Sequence, residues 1–253
     1  IKLTFDDVLI RPKRSTLVSR SEVQLDRGFK FRHTSLTWSG IPIVSANMDT
    51  TGTFETAASL QEHKMITAVH KFYTIDDWKQ IIDKLDPSYI AVTVGQSEED
   101  MQLAKNIFGL NDDIKFLCID VANGYREDFI NAVKRYRKTF KEKIIIAGNV
   151  ATREMTEALI LAGADIVKIG IGPGSVCTTR SVAGVGYPQL SSISECSDAA
   201  HGLGGHVMAD GGCKYPGDIS KAFGAGADFV MLGGMFAGHE ESGGELVEDD
   251  DGV

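Results

Sequence analysis

A single-domain α/β fold, the closed (β/α)₈ TIM barrel, is what this sequence predicts, and three observations predict it. Short runs rich in Ile and Val recur at near-constant intervals, at 41–47, 65–70, 89–95, 115–122, 143–149, 166–172, 206–212 and 229–234. They are apolar on both faces, as parallel strands buried on both sides should be. Helical patterns fill the intervals, and strand–helix alternation sustained this long fits a closed barrel better than an open doubly wound sheet. The 253 residues, 43% of them apolar, suffice for one such domain with a large core, so 1–253 reads as one barrel.

The elements follow in chain order. The second strand runs through Val69-His70-Lys71-Phe72-Tyr73 straight into a helix over 75–85, which leaves no room for an inserted domain. In the helix over 125–140, Phe129, Ala132, Val133, Tyr136 and Phe140 form one apolar stripe among charged residues. Two helices end alike, at Ala162-Gly163-Ala164-Asp165 and Ala225-Gly226-Ala227-Asp228, where Gly can take the left-handed conformation before a new strand. The interval lengthens only after the sixth strand, through the glycine-rich loop 172–189. Barrel enzymes build their sites at such strand ends. After the eighth strand comes 235–244 and then the acidic segment 245–253, with no apolar helix to cover the strand. The barrel is therefore expected to continue past Val253, and, with no initiator Met, the true start is expected upstream.

Composition excludes several classes. A net charge of −9 argues against a general nucleic-acid or anionic-membrane binder, although backbone amides can still bind a phosphate locally. No window reaches the ~20 apolar residues of a membrane span. Ile1-Lys2-Leu3-Thr4-Phe5 lacks a secretion pattern, so a cytoplasmic location is expected. The four cysteines, Cys118, Cys177, Cys196 and Cys213, have neither CxxC spacing nor neighbouring His pairs, and three read as buried small hydrophobes.

Cys177 differs. In Gly172-Pro173-Gly174-Ser175-Val176-Cys177-Thr178-Thr179-Arg180 the glycines let the backbone turn sharply and aim its amides inward, and Ser175 offers a hydroxyl to a phosphate oxygen. Arg180 beside Cys177 would favour the thiolate, the nucleophilic form, and the threonine hydroxyls could relay a proton. Asp210-Gly211-Gly212 closes the seventh strand and Gly233-Gly234 the eighth, the usual barrel phosphate site, with the carboxylate placed to accept from ribose hydroxyls.

At these residues the chain resembles the family of inosine monophosphate (IMP) dehydrogenases and guanosine monophosphate (GMP) reductases, over essentially its whole length. The absent insert and the segments Ser45-Ala46-Asn47-Met48-Asp49-Thr50, Cys118-Ile119-Asp120-Val121-Ala122-Asn123-Gly124-Tyr125 and Gly184-Val185-Gly186-Tyr187-Pro188-Gln189 are similar to the reductase branch. The resemblance implies conversion of GMP to IMP with release of ammonia and use of NADPH. Cys177 would attack purine C2 and form a thioimidate, and Thr179 would transfer protons with a downstream Glu that lies, with the active-site flap, outside these residues. It further implies Ser175, Gly211, Gly212, Gly233 and Gly234 around the phosphate and Asp210 on the ribose. Ser19, Arg20, Lys71, Asp120, Val121 and Ala122 would meet the cofactor. Carbonyls of Gly172, Gly174, Cys177 and Arg180 would ligate a monovalent cation such as potassium, and the assembly would be a homotetramer. A dehydrogenase without its regulatory insert and a nucleotide-binding barrel without catalysis are the competing readings.

Overall fold

In the computed structural model, which describes residues 1–244, eight parallel strands close into a barrel. The chain opens with two short antiparallel strands, β1 (Arg27–Lys30) and β2 (Thr37–Gly40). There follow β3 (Ile43–Ser45), α1 (Phe54–Glu62), β4 (Ile66–Val69), α2 (Ile75–Ile81), β5 (Ile90–Val94) and α3 (Glu98–Leu110). Next come β6 (Phe116–Asp120), α4 (Glu127–Thr139), β7 (Ile144–Val150), α5 (Arg153–Ala162) and β8 (Ile166–Ile169). The last group is α6 (Thr179–Ala183), α7 (Gln189–Gly202), β9 (His206–Asp210), α8 (Pro216–Gly224) and β10 (Phe229–Leu232). Strands β3 to β10 pair in chain order, and β10 returns to β3 through Val230↔Ile43 and Leu232↔Ser45.

Strand residues are apolar on both faces because each strand serves two cores. Val44, Ile66, Phe116, Ile144, Ile166, Met208 and Phe229 fill the barrel interior. Their alternates, among them Val92, Leu117, Ile145, Val167, Val207 and Val230, face the helices. The α4 stripe of Phe129, Ala132, Val133 and Tyr136 packs into that outer layer, and Tyr136 closes it by donating its hydroxyl to the Gly95 carbonyl at 3.1 Å. Thr53, Thr74 and Ser97 cap α1, α2 and α3 by accepting a backbone N–H.

The β1–β2 hairpin stoppers the N-terminal end of the barrel, an element the alternation of strands and helices does not announce. Phe29 packs on Phe229 with ring centroids 4.5 Å apart and planes tilted by 32°, and Trp38 packs on Phe116 and Phe229 at 6.0 and 5.6 Å. The Trp38 indole donates to the Ser88 carbonyl at 2.9 Å, so its one polar atom is satisfied inside the stopper. His206 ties this end together. Its Nε2 lies 2.9 Å from the Lys30 carbonyl, and its Nδ1 lies 3.3 Å from Asp228 Oδ1. Burial alone would lower the His206 pKa, but hydrogen bonding and charge from Asp228, with the Lys30 carbonyl, raise it above the ordinary 6.5. A raised imidazolium stabilises fully below that ordinary value and loses its contribution as pH climbs through the folded value. The melting temperature is therefore expected to fall as pH rises above the ordinary 6.5 and through the raised folded value, and His206→Asn to flatten that slope in thermal scans.

From Gly233 to Gly244 the chain makes turns, anchored where the Gly243 amide donates to the Thr50 carbonyl at 2.8 Å. The acidic run 248–251 lies outside the described residues.

Candidate active site

The C-terminal ends of the strands carry the polar residues, and they converge on two adjoining hollows. The larger, about 580 Å³, is floored by Gly211, Gly212, Gly233 and Gly234 and walled by Ser175, Asp210, Met48 and Asp49. It joins the ends of β3, β9 and β10 to the loop after β8. Gly211 and Gly212 sit at φ +85 and +88, left-handed values that admit glycine readily. A Cβ on Gly211 would also stand 3.0 Å from Pro173 Cγ. The floor is thus bare backbone that a phosphate can approach. The smaller crevice, about 310 Å³, is lined by Ala122, Asn123, Tyr125, Thr152, Thr179, Ala183, Val185 and Tyr187.

Cys177 stands on the loop that separates the hollows, exposed and in no disulfide. Ser175 and Val176 line the larger hollow and Thr179 the smaller, while Cys177 itself lines neither wall. Its Sγ lies 3.3 Å from Thr179 Oγ1, and its amide donates to the Gly174 carbonyl at 3.1 Å. The thiol pKa is lowered from the ordinary 9.0, chiefly by hydrogen bonds from the Thr179 hydroxyl and amide and only last by the Arg180 charge. The Arg180 charge thus favours the thiolate, as the sequence suggests, but it is the smallest of these contributions. The Arg180 Nε donates to the Ile171 carbonyl at 3.1 Å and its Nη2 to the Tyr187 carbonyl, so the guanidinium braces the loop. Thr179→Val is expected to move the acidic limb of the kcat/KM profile to higher pH, because the thiolate loses its main donor. A pH–rate profile checks it, and an unchanged limb would clear Thr179 of that role.

Behind both hollows lies a buried ion cluster that reading the motifs missed. Lys168, in the interior of β8, bonds Asp120 Oδ1, Asp210 Oδ2 at 3.3 Å and Asn47 Oδ1 at 3.3 Å. Burial alone would lower its pKa, but the two carboxylates outweigh that and hold the ammonium charged. Lys168 in turn keeps Asp120 ionised, with help from Asn47 and Lys71, against a burial that favours the neutral acid. Asn149 Nδ2 donates to Asp210 Oδ2 at 2.8 Å and to the Gly170 carbonyl at 2.9 Å. Gln189, also buried, bonds the carbonyls of Ile169 and Asp210 and so clamps β8 to β9. A signal was present, since a lysine inside Ile166-Val167-Lys168-Ile169 has to be paired if the strand is buried on both faces.

Of the expected cofactor residues, Ala122 lines the smaller crevice, Asp120 ends β6 half-buried and lines neither hollow, the Val121 amide is bonded to the Gly148 carbonyl at 2.9 Å, and Lys71 is exposed with its charge acting on Asp100 and Asp120. Ser19 and Arg20 stand apart. They form an exposed 3₁₀ turn closed by local bonds, Ser19 N–H to Glu22 and Ser21 N–H to Ser19, and line neither hollow among the described residues.

The arrangement matches a known family. Residues 2–252 fit the model of the IMP dehydrogenase / GMP reductase domain. The chain belongs to that family. It is 60% identical over 253 residues to a GMP reductase of Photobacterium profundum, covering 99% of this chain and 73% of the relative. It is 59% identical to a GMP reductase of Vibrio cholerae at the same coverage. The crystal structure of inosine 5′-monophosphate dehydrogenase from Legionella pneumophila superposes with a TM-score of 0.87 at 38% identity, covering 100% of this chain and 75% of that one. As a member of the IMP dehydrogenase / GMP reductase family, the chain is an enzyme, and its barrel mouth is where the chemistry belongs.

Proposed function

We propose that this enzyme reductively deaminates GMP to IMP, consuming NADPH and releasing ammonia through a covalent adduct on Cys177. One observation carries the reading. An exposed thiol of lowered pKa stands between a hollow suited to a nucleoside phosphate and a crevice walled by flat rings and small apolar groups.

In this reading the amides of Gly211, Gly212, Gly233 and Gly234, with the Ser175 hydroxyl, hold the phosphate, and Asp210 accepts from the ribose hydroxyls. The Cys177 thiolate adds to purine C2, forming the S–C bond, and the 2-amino group takes a proton and leaves as ammonia. A thioimidate remains, and once C2 has been reduced the sulfur departs as thiolate, which is why a group that both adds and leaves well is required. The Thr179 hydroxyl, within reach of the sulfur, carries protons there, with a partner because an isolated threonine is too weak an acid.

The crevice fits a nicotinamide ring through Ala122, Tyr125, Val185 and Tyr187, and Lys71 places positive charge beside Asp120, where a phosphate-bearing cofactor would approach. When bound there, NADPH supplies hydride to C2. Ser19 and Arg20 belong to the cofactor set on resemblance alone. Carbonyls of Gly172, Gly174, Cys177 and Arg180 suit a monovalent cation such as potassium by donor type, although the Gly174 oxygen already accepts the Cys177 amide. A homotetramer in the cytoplasm completes the reading. No helix among the described residues is long and apolar enough to cross a membrane.

The test is an absorbance assay on the full-length protein. NADPH oxidation that requires GMP and yields equimolar ammonia is expected. Xanthosine monophosphate made from IMP with NAD would establish a dehydrogenase instead, and GMP binding without turnover a non-catalytic barrel.

A further inference from the structure

We propose that Lys168 is the positioning residue for both ligand sites, one ammonium that sets Asp210 for the substrate ribose and Asp120 for the cofactor. The inference rests on the GMP reductase reading and extends it to a residue that no motif of the loop contains.

The geometry is asymmetric in a useful way. The Lys168 side chain is 2% exposed, while those of Asp120 and Asp210 are 29% and 21% exposed at the mouth. On Asp210, Oδ2 takes both inward bonds, from Lys168 and from Asn149. That leaves Oδ1 as the atom for a ribose hydroxyl in the hollow that Asp210 lines. On Asp120 it is Oδ1 that Lys168 holds. Two carboxylates share one cation, so neither can turn inward without taking the ammonium from the other, and each keeps its second oxygen clear of the ammonium. Asn47 Oδ1 accepts the ammonium's remaining bond and keeps the lysine from choosing between them. Supporting groups that fix the orientation of ligand-binding residues affect binding nearly as much as the contacts themselves.

The test is titration calorimetry on the full-length protein with GMP, 2′,3′-dideoxy-GMP and NADP⁺. Lys168→Met keeps the apolar stem and removes the charge. It is expected to weaken GMP and NADP⁺ roughly 10–100-fold, and to leave the dideoxy analogue, which cannot use Asp210, within about twofold of its original affinity. A merely structural loss would weaken GMP and its dideoxy analogue alike, and that result overturns the proposal. So does a variant that binds either GMP or NADP⁺ as before. Should Lys168→Met fail to fold, Asn149→Ser removes the other hold on Oδ2 and must give the same GMP-selective loss at smaller amplitude; equal loss for both nucleotides overturns the proposal there too. An unaltered protein that does not bind GMP at all refutes the reductase reading and this inference with it, whereas GMP binding indifferent to Lys168 refutes this inference alone.

Discussion

Cys177→Ala lowers turnover of GMP by about 10⁴-fold or more while GMP still binds with nearly its original affinity. The expectation follows from where the sulfur stands. Cys177 lies on the loop above the hollow and not in its wall, so truncation removes no phosphate or ribose contact and leaves the glycine floor untouched. It does remove the exposed thiol whose lowered pKa suits it to bond C2 and leave again, whereas burial pushes the Cys213 thiol in the hollow wall up to about 12. Without it, hydride would have to reach an aromatic guanine carbon still carrying its amino group. Stopped-flow NADPH absorbance measures the first half of the expectation and calorimetry the second.

Gly170→Ala is expected to be nearly as damaging, through structure. Gly170 ends the backbone run of β8 at φ +155, its amide donating to the Val150 carbonyl at 2.8 Å. A Cβ there would overlap the Asp210 carbonyl oxygen and stand 3.2 Å from Gln189 Nε2. Both neighbours belong to the clamp that joins β8 to β9, and backbone cannot swing aside as a side-chain tip can. The methyl must push the Cys177 loop away from the ribose acceptor. We expect a loss of about 3 kcal/mol or more of stability, with GMP binding lost in whatever remains folded. Urea unfolding with GMP titration decides it; an unaltered midpoint would mean that the two strand ends yield.

The barrel was legible because short apolar runs rich in Ile and Val alternate with helical patterns, and seven of the eight strands lie within their expected segments, β7 running one residue past its own to Val150. The β1–β2 stopper was not. Arg27-Gly28-Phe29-Lys30 and Thr37-Trp38-Ser39-Gly40 are short and half polar, and what makes them strands is the aromatic surface of Phe116 and Phe229, residues far away in the chain. The site divides the same way. Glycine pairs at strand ends and a cysteine in a glycine loop can be read locally, since their backbone geometry follows from their own side chains. Arg180 is legible in part: its charge lowers the Cys177 pKa as the sequence suggests, while its bonds to the carbonyls of Ile171 and Tyr187, which brace the loop, depend on how the loop folds. Lys168, Asn149 and Gln189 act across strands, and such partnerships are fixed by closure of the barrel.

The central claim, that sulfur 177 becomes bonded to the purine, is tested most directly by mass spectrometry of the cysteine-bearing peptide. The protein would be incubated with IMP and NADP⁺, or with GMP and NADPH, acid-quenched during turnover and digested. A nucleotide adduct on the peptide containing Cys177, absent from Cys177→Ala, is predicted. A protein that turns over with that peptide unmodified, and whose Cys177→Ala variant keeps pace with it, would contradict the account.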